Sequence, residues 1–229
     1  MKASLTKGAF MEPKINSLIS SYKEHGVAYL RNFVASSMLI SLLREIELAE
    51  DLALRDLVAN WGNQKVAFFT KDPESQKTEG KAEDFVTTPY FRKSGRGAHV
   101  FFEEIENELV VNRIGHGLHL VPELSAIGEL VYNNEALHGI LRALGYIKPI
   151  CLLSVYIPKL ANGVGSDVIP HQESSFANTD PLSCLVLWVA LEDADVENAC
   201  MWGLRGSHKW PLKYVSRSPI ISEREPTFR

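Results

Sequence analysis

Residues 150–157 have the sequence ICLLSVYI, residues 184–191 have CLVLWVAL, and residues 200–204 have CMWGL. All three runs are short and apolar, and clusters of glycine, proline, asparagine and aspartate separate them. β-Branched and aromatic residues favour strands, and short strands between such turn residues are typical of antiparallel sheets. The second half of the chain is therefore predicted to form an antiparallel β-sandwich.

The first half of the chain has the residue spacing of helices. Apolar residues recur at helical intervals at Ile15, Leu18, Ile19 and Tyr22, and Gly26 follows them. A glycine just past an amphipathic run is a typical end of a helix. We therefore predict a short first helix that ends before Gly26, followed by a strand at residues 27–30.

A longer second helix is predicted after this strand. Ser36 or Ser37 can cap its start, and it extends to about Asn60. Its apolar face consists of Leu39, Leu42, Leu43 and Ile46.

The middle of the chain is predicted to contain a loop, a strand and a helical segment. Residues 71–84, KDPESQKTEGKAED, are almost all polar or charged, which predicts an exposed loop. Residues 98–102 are strand-like. Residues 123–144 are helical in pattern, with a break at the pair Asn133 and Asn134 and a glycine after the end.

Composition places the chain among ordinary globular proteins. Of its 229 residues 45% are hydrophobic and 23% are charged, and the net charge is −4. A chain of this length can bury a core without disulfides. Its three cysteines are widely spaced and form no C-x-x-C pair, so we expect free and mostly buried thiols in a reducing compartment.

Charge and hydropathy exclude two classes of partner. The basic residues are scattered among acidic ones, which argues against nucleic acid. No apolar run approaches the roughly 20 residues that cross a bilayer, and neither terminus has an evident export or peroxisomal signal. We expect a cytoplasmic protein that binds neither nucleic acid nor membranes, and the oligomeric state stays open.

The most suggestive motif is PHQESSF at residues 170–176, in which His171 and Glu173 flank one residue. Side chains at i and i+2 of an extended chain point to the same face. An imidazole and a carboxylate there can take adjacent positions on one metal ion, as in the two-histidine, one-carboxylate sites of non-haem Fe(II) oxygenases. Because His-x-Glu is a common tripeptide, a solvated strand edge is the alternative.

Further blocks accompany this motif. They are GVAYL at 26–30 with Asn32 and Phe33, VNRIGHGLH at 111–119, SVYI at 154–157, WVALEDA at 188–194, ENAC at 197–200 and RGSHK at 205–209. Together, in this order and spacing, they resemble the phytanoyl-CoA dioxygenase family, most closely its phytanoyl-CoA dioxygenase domain-containing branch. The resemblance covers most of the chain.

This resemblance implies both a fold and a chemistry. The fold is α+β and mainly β, in one domain over residues 1–229, with a helical part at 1–145. That part would pack on a double-stranded β-helix (jelly-roll, cupin-like) core at 146–215. The implied activity is that of an oxidoreductase, a dioxygenase that uses Fe(II) and the cosubstrate 2-oxoglutarate to hydroxylate a small-molecule substrate.

The resemblance also implies site residues. His171 and Glu173 match the first two metal ligands, although the family usually has aspartate at the second position. The added methylene of glutamate changes the geometry of the ligand but not its charge. The family's third ligand, a later histidine, and the arginine that follows it have no counterpart, because no histidine follows His208. We therefore expect the C-terminal strands of the jelly roll to be missing.

Four residues match cosubstrate positions by the same resemblance. Arg113 stands where the family has a lysine that contacts 2-oxoglutarate; it keeps the charge but offers a planar fork. Val155 and Trp188 match cosubstrate-lining positions, and Gln172 lies between the two ligands. For Val155 and Trp188 the alternative is a place in the hydrophobic core.

Three other histidines are interpreted as structural. His116 and His119 have a spacing that suits one helical face and a metal, but they fall in a structural block of the family. His208 is expected to stabilise a turn. Besides the hydroxylase, two hypotheses remain: a non-catalytic or truncated family member, and a cupin-like binder that uses His208 to complete its site.

Overall fold

A computed structural model describes residues 12–62, 89–105, 108–159, 170–177, 179–198 and 200–213. The helices are α1 (Glu12–His25), α2 (Ser36–Trp61), α3 (Pro89–Ser94), α4 (Ser125–Gly128) and α5 (Glu135–Ala143). The strands are β1 (Val100–Ile105), β2 (Glu108–His116) and β3 (Ser154–Tyr156). A π-helical turn (Glu129–Asn133) follows α4, and 3-10 turns lie at Leu118–Leu120, Glu173–Ser175 and Ser207–Lys209. No helix in these ranges is both long and apolar enough to cross a membrane.

The first helix ends where the sequence predicts. Gly26 follows α1 with a φ of +79°, and a Cβ at this position would overlap the ring of His208. The ring Nε2 of His208 donates to the carbonyl of Lys23 at 3.1 Å, and the amide of Gly206 donates to the carbonyl of His25 at 2.8 Å. The end of α1 is therefore joined to residues 206–208, with glycine required at the point of contact.

The second helix confirms the predicted range but not the predicted cap. Ala35 occupies the N-cap position and makes no side-chain hydrogen bond, because Ser36 and Ser37 already lie inside the helix. The buried face of α2 is formed by Leu42, Ala49, Ala53 and Leu57. These residues recur every four or seven positions, which is the spacing of one helical face.

The three strands form one antiparallel sheet in the order β1-β2-β3. Phe101 pairs with Arg113 and Phe102 with Val111, so Asn112 is an extra residue in a β-bulge. The bulge lies within the block at residues 111–119. It therefore determines how the side chains of residues 112 and 113 are directed.

The core lies between α2, α3 and the sheet. Val100, Phe101 and Ile114 are fully buried, and the ring of Tyr90 packs edge-on against Phe101 with centroids 5.5 Å apart. The Tyr90 hydroxyl donates to the carbonyl of Val100 at 2.8 Å and accepts its amide at 3.1 Å. One phenol thus replaces the missing neighbour strand at this residue of β1, which is an edge strand of the sheet.

The predicted interruption of the third helical segment is confirmed. Asn134 caps α5, because its side chain accepts the amide of Leu137 at 2.9 Å. At the start of α4, Glu45 of α2 accepts the amides of Ala126 and Ile127 at 2.7 and 3.0 Å. A carboxylate on one helix therefore satisfies the free amides of another.

Several predicted strands are wrong. Residues 27–30, 184–191 and 200–204 belong to no β-ladder, and only Ser154–Tyr156 of residues 150–157 is a strand. A strand exists only where another segment pairs with it, and propensity says nothing about that partner. The described residues thus contain helices and a small antiparallel sheet, without the complete sandwich.

Two smaller expectations have different outcomes. The three cysteines are free, as expected, but they are half-buried and not buried. The loop predicted at residues 71–84 lies outside the described residues.

Candidate functional site

The side chains of His171 and Glu173 meet, as their spacing predicts. Nε2 of His171 lies 3.3 Å from Oε1 of Glu173, and the two side chains are 24% and 50% exposed. Gln172 between them has φ −98° and ψ 125°, which is extended backbone. The extended residue places its two neighbours on the same face, open to solvent.

The backbone after this pair forms a tight turn, and because residues 170–173 belong to no strand, the alternative interpretation of the motif as a strand edge is wrong. The amide of Ser175 donates to the carbonyl of Gln172 at 2.8 Å, and the amide of Phe176 donates to that of Glu173 at 3.0 Å. The ring of Phe176 packs edge-on against the imidazole of His171, with centroids 5.4 Å apart. Within the described residues, local hydrogen bonds and one aromatic contact order the turn, and no strand pairs with the motif.

The distance between these two atoms is that of a hydrogen bond or ion pair, and it is also close to the spacing of two neighbouring ligands of one metal ion. Two donor atoms that each lie about 2.1 Å from one ion, at right angles, are about 3.0 Å apart. The observed 3.3 Å is close to this value. Among the described residues, no group of three or more His, Cys, Asp or Glu side chains is arranged to hold a metal.

Gln172 is directed towards a different part of the chain. Its Nε2 donates to the carbonyl of Pro211 at 3.4 Å, and its Oε1 accepts the amide of Lys213 at 3.0 Å. Both ends of the amide therefore contact residues 211–213. The predicted contact of Gln172 with a cosubstrate stays a prediction.

Arg113 lies on β2 in a polar network at the β-bulge. Its Nε donates to Oδ1 of Asn112 at 2.9 Å, and Nδ2 of Asn112 donates to Oε2 of Glu103 at 3.1 Å. Glu103 is only 1% exposed. Burial lowers the pKa of Arg113 to about 10, against the opposing effect of the Glu103 carboxylate. The guanidinium therefore stays charged at neutral pH.

The other two predicted cosubstrate residues have different surroundings. Val155 is half-buried in β3 and pairs with Gly115, two residues from Arg113 along β2. Trp188 is 48% exposed, whereas its neighbour Val189 packs against the core. The interpretation of Trp188 as a core residue is therefore wrong. Within the described ranges, no hydrogen bond or ring contact joins Trp188 to the other predicted site residues.

His116 and His119 have separate structural partners, as expected. Nδ1 of His116 lies 2.8 Å from Oγ of Ser94, which itself donates to the carbonyl of Phe91. Nδ1 of His119 lies 2.6 Å from Oγ of Ser154, which also accepts the His119 amide. Because each ring contacts a different serine, His116 and His119 do not share one site.

Burial of His116 predicts a measurable loss of stability in acid. Burial, together with the charges of Arg113 and His99, lowers the pKa of His116 to about 4, below the value of about 6.5 in an unfolded chain. Because the unfolded chain binds this proton more readily than the folded protein, the free energy of unfolding falls as the pH drops from about 6.5 to about 4. The decrease is at most about 1.4 kcal/mol per pH unit.

Denaturant unfolding between pH 7 and pH 4 tests this prediction. The slope of unfolding free energy against pH should be shallower in a His116→Gln variant, because the variant lacks the titrating ring. Equal slopes for both proteins would contradict it.

Sequence reasoning missed Glu103 and Asn112. Asn112 belongs to the block at 111–119, which draws attention to it, but Glu103 has a weaker signal. Two adjacent carboxylates, Glu103 and Glu104, at the end of an apolar run suggest exposed positions, and only the register with β2 places Glu103 against Asn112.

Comparison with known proteins gives consistent results. The sequence model of the phytanoyl-CoA dioxygenase (PhyH) family matches residues 22–219. An Arabidopsis thaliana phytanoyl-CoA dioxygenase is 37% identical over 139 residues, which are 56% of this chain and 48% of that protein. Phytanoyl-CoA dioxygenase 1 of Oryza sativa is 35% identical over 80% of this chain and 65% of its own length.

An animal protein gives a similar match. Phytanoyl-CoA dioxygenase domain-containing protein 1 of Bos taurus is 32% identical over 84% of this chain and 65% of its own length. The chain therefore spans about half to two thirds of the length of these relatives.

Proposed function

Since the chain belongs to the phytanoyl-CoA dioxygenase family, we propose that it is an Fe(II)- and 2-oxoglutarate-dependent hydroxylase of a small molecule. The observation that carries this proposal is the 3.3 Å approach of the His171 imidazole to the Glu173 carboxylate. The substrate class is taken from the family.

The proposal includes the family's fold. Residues 1–229 would form one domain, in which residues 146–215 contribute to a double-stranded β-helix and residues 1–145 pack on it. One feature supports a strand-like second part: Val189 and Leu191 pack on the core while Trp188 and Ala190 are exposed, which is the alternation of an extended segment. Two of the three strands of the sheet, β1 and β2, lie before residue 146.

His171 and Glu173 would hold the metal through Nε2 and Oε1. When bound, iron and 2-oxoglutarate supply the oxidising chemistry, in which O2 is consumed, the keto acid becomes succinate and CO2, and one C–H bond becomes C–OH. The role of the protein is to present the two donors side by side and to keep the imidazole in place. The turn after Glu173 and the ring of Phe176 contribute to this.

Arg113 would bind a carboxylate of 2-oxoglutarate. It is charged at neutral pH and half-buried, and its Nε is directed by Asn112. A planar guanidinium in such a place can donate two parallel hydrogen bonds to a carboxylate. Val155 and Trp188 would supply apolar surface beside the cosubstrate, and Gln172 remains a candidate contact.

Anaerobic titration with Fe(II) and 2-oxoglutarate tests the proposal. A weak visible charge-transfer band is expected when the keto acid chelates protein-bound iron, followed by succinate formation when O2 is admitted. A folded protein that gives neither signal would favour the non-catalytic hypothesis. The cupin-like hypothesis that uses His208 is disfavoured, because this ring donates to Lys23 and packs against Gly26.

Replacement of Arg113 should weaken cosubstrate binding selectively. In an Arg113→Met variant we expect the 2-oxoglutarate concentration at half-maximal band intensity to rise about 10- to 100-fold, because a hydrogen-bonded charge is lost. Arg113→Lys keeps the charge and should stay within a few-fold of the original. If the Met variant, shown to be folded, binds 2-oxoglutarate as tightly as the original protein, Arg113 is not the cosubstrate contact.

A further inference from the structure

The side chain between the two candidate metal donors is itself held at both ends. Gln172 is half-buried and bridges to residues 39 and 41 positions later in the chain. Its carbonyl oxygen accepts the Lys213 amide at 3.0 Å, and its NH2 group donates to the Pro211 carbonyl at 3.4 Å. The side-chain amide thus donates one hydrogen bond to the backbone of residues 211–213 and accepts one from it, as a neighbouring strand would, although no strand pairs with these residues.

The segment that Gln172 contacts is anchored elsewhere. The turn at Ser207–Lys209 precedes it by only a few residues. Gly206 and His208 in this part of the chain donate to the carbonyls of His25 and Lys23 at the end of α1. Residues 211–213 therefore follow closely a turn that is hydrogen-bonded to α1. Gln172 links the motif at 171–173 to this anchored segment.

The motif needs such support. Residues 170–172 belong to no strand or helix, and Glu173 only begins a three-residue 3-10 turn. Each backbone residue that is not held costs about 1–2 kcal/mol of conformational entropy when it becomes ordered. A metal that had to order this loop would bind less tightly than one that enters an ordered pair of donors.

From these contacts we propose that Gln172 is a positioning residue. It clamps the His171–Glu173 motif to residues 211–213 and so keeps Nε2 of His171 and Oε1 of Glu173 side by side before metal arrives. This role rests on the proposed function, since it assumes that the two donors bind a divalent cation. It is separate from the proposed cosubstrate contact, because the amide has two N–H donors and two acceptor lone pairs and the clamp uses one of each.

Two readouts, neither of them catalytic, test the clamp. The first is NMR-detected hydrogen exchange of the Lys213 amide in metal-free protein. The second is the affinity for Mn(II), measured by the loss of the electron paramagnetic resonance signal of free Mn(II). Gln172→Met keeps the length of the side chain but removes both hydrogen bonds. Gln172→Asn keeps the amide and is one methylene too short to make both contacts.

Lys213→Ala is the matched control, because the contact uses the backbone amide of residue 213 and not its side chain. In both Gln172 variants we expect the backbone amide hydrogen of Lys213 to exchange at least about 10-fold faster. We also expect the Mn(II) dissociation constant to rise about 10-fold. In Lys213→Ala both should remain unchanged. Thermal unfolding verifies that each variant is folded. If the Gln172→Met variant does not fold, the milder Gln172→Asn variant is used for both measurements.

The outcomes separate this inference from the proposed function. Unchanged exchange at Lys213 in the Gln172 variants means that the clamp does not exist. Faster exchange with unchanged Mn(II) affinity means that the clamp exists but does not position the donors. If the original protein binds no Mn(II), the proposed metal site fails, and the positioning role fails with it even when exchange confirms the contact.

Discussion

Replacing His171 with alanine is expected to abolish the visible band of the Fe(II)–2-oxoglutarate complex and to lower the Fe(II) affinity of the chain by more than about 100-fold. Loss of a residue that only supports a ligand typically costs about 10- to 100-fold in metal affinity, and His171 is proposed as a ligand itself. The variant also leaves Glu173 without the imidazole that lies 3.3 Å from it. Anaerobic titration followed by absorbance measures both effects.

His25→Ala is the control for this experiment. The ring of His25 is 3.9 Å from Glu24, and His25 accepts the Gly206 amide through its backbone carbonyl, which the substitution retains. Its Fe(II) affinity should equal that of the original protein. A His171→Ala variant that keeps the band would remove His171 from the site.

Replacing Tyr90 with phenylalanine is expected to lower the free energy of unfolding by about 2–4 kcal/mol. The substitution removes one oxygen and leaves the amide and the carbonyl of Val100 without their partner. Each buried backbone group without a partner costs about 1–3 kcal/mol. Burial also raises the pKa of Tyr90 to about 12, so the hydroxyl keeps its proton and can donate throughout the neutral range.

Chemical denaturation of Tyr90→Phe and Tyr132→Phe measures this effect. Tyr132 is 49% exposed, so its hydroxyl can exchange a protein contact for water. We expect the Tyr132 variant to stay within about 0.5 kcal/mol of the original protein. Equal losses in the two variants would show that the bonds to Val100 contribute little.

The helical part of the fold could be predicted because its signals are local. The three- and four-residue spacing of apolar residues in α1, the glycine after it and the asparagine pair before α5 each act within one or two turns of chain. Residues 184–191 have an equally clear preference, but a strand also needs a partner from a distant part of the chain. The preference is intrinsic to the segment, and the pairing is not.

The candidate site divides in the same way. The approach of His171 to Glu173 depends on one extended residue, so the spacing alone predicts it. The Glu103–Asn112–Arg113 network depends on a one-residue bulge between two strands, which residue types do not reveal. The direction of Gln172 depends on a segment about 40 positions later. The pairing of residues that are far apart in the sequence could not be predicted, whereas the chemistry of the individual residues could.

The contact between α1 and the turn at 206–208 has a consequence for synthesis on the ribosome. Lys23 and His208 are separated by 185 positions. At about 5–20 residues per second, the ring that packs on Gly26 is made on the order of 10–40 s after the glycine. During that interval the C-terminal end of α1 lacks this contact, and the nascent chain can join residues 23–26 to residues 206–208 only after residue 208 has left the ribosome.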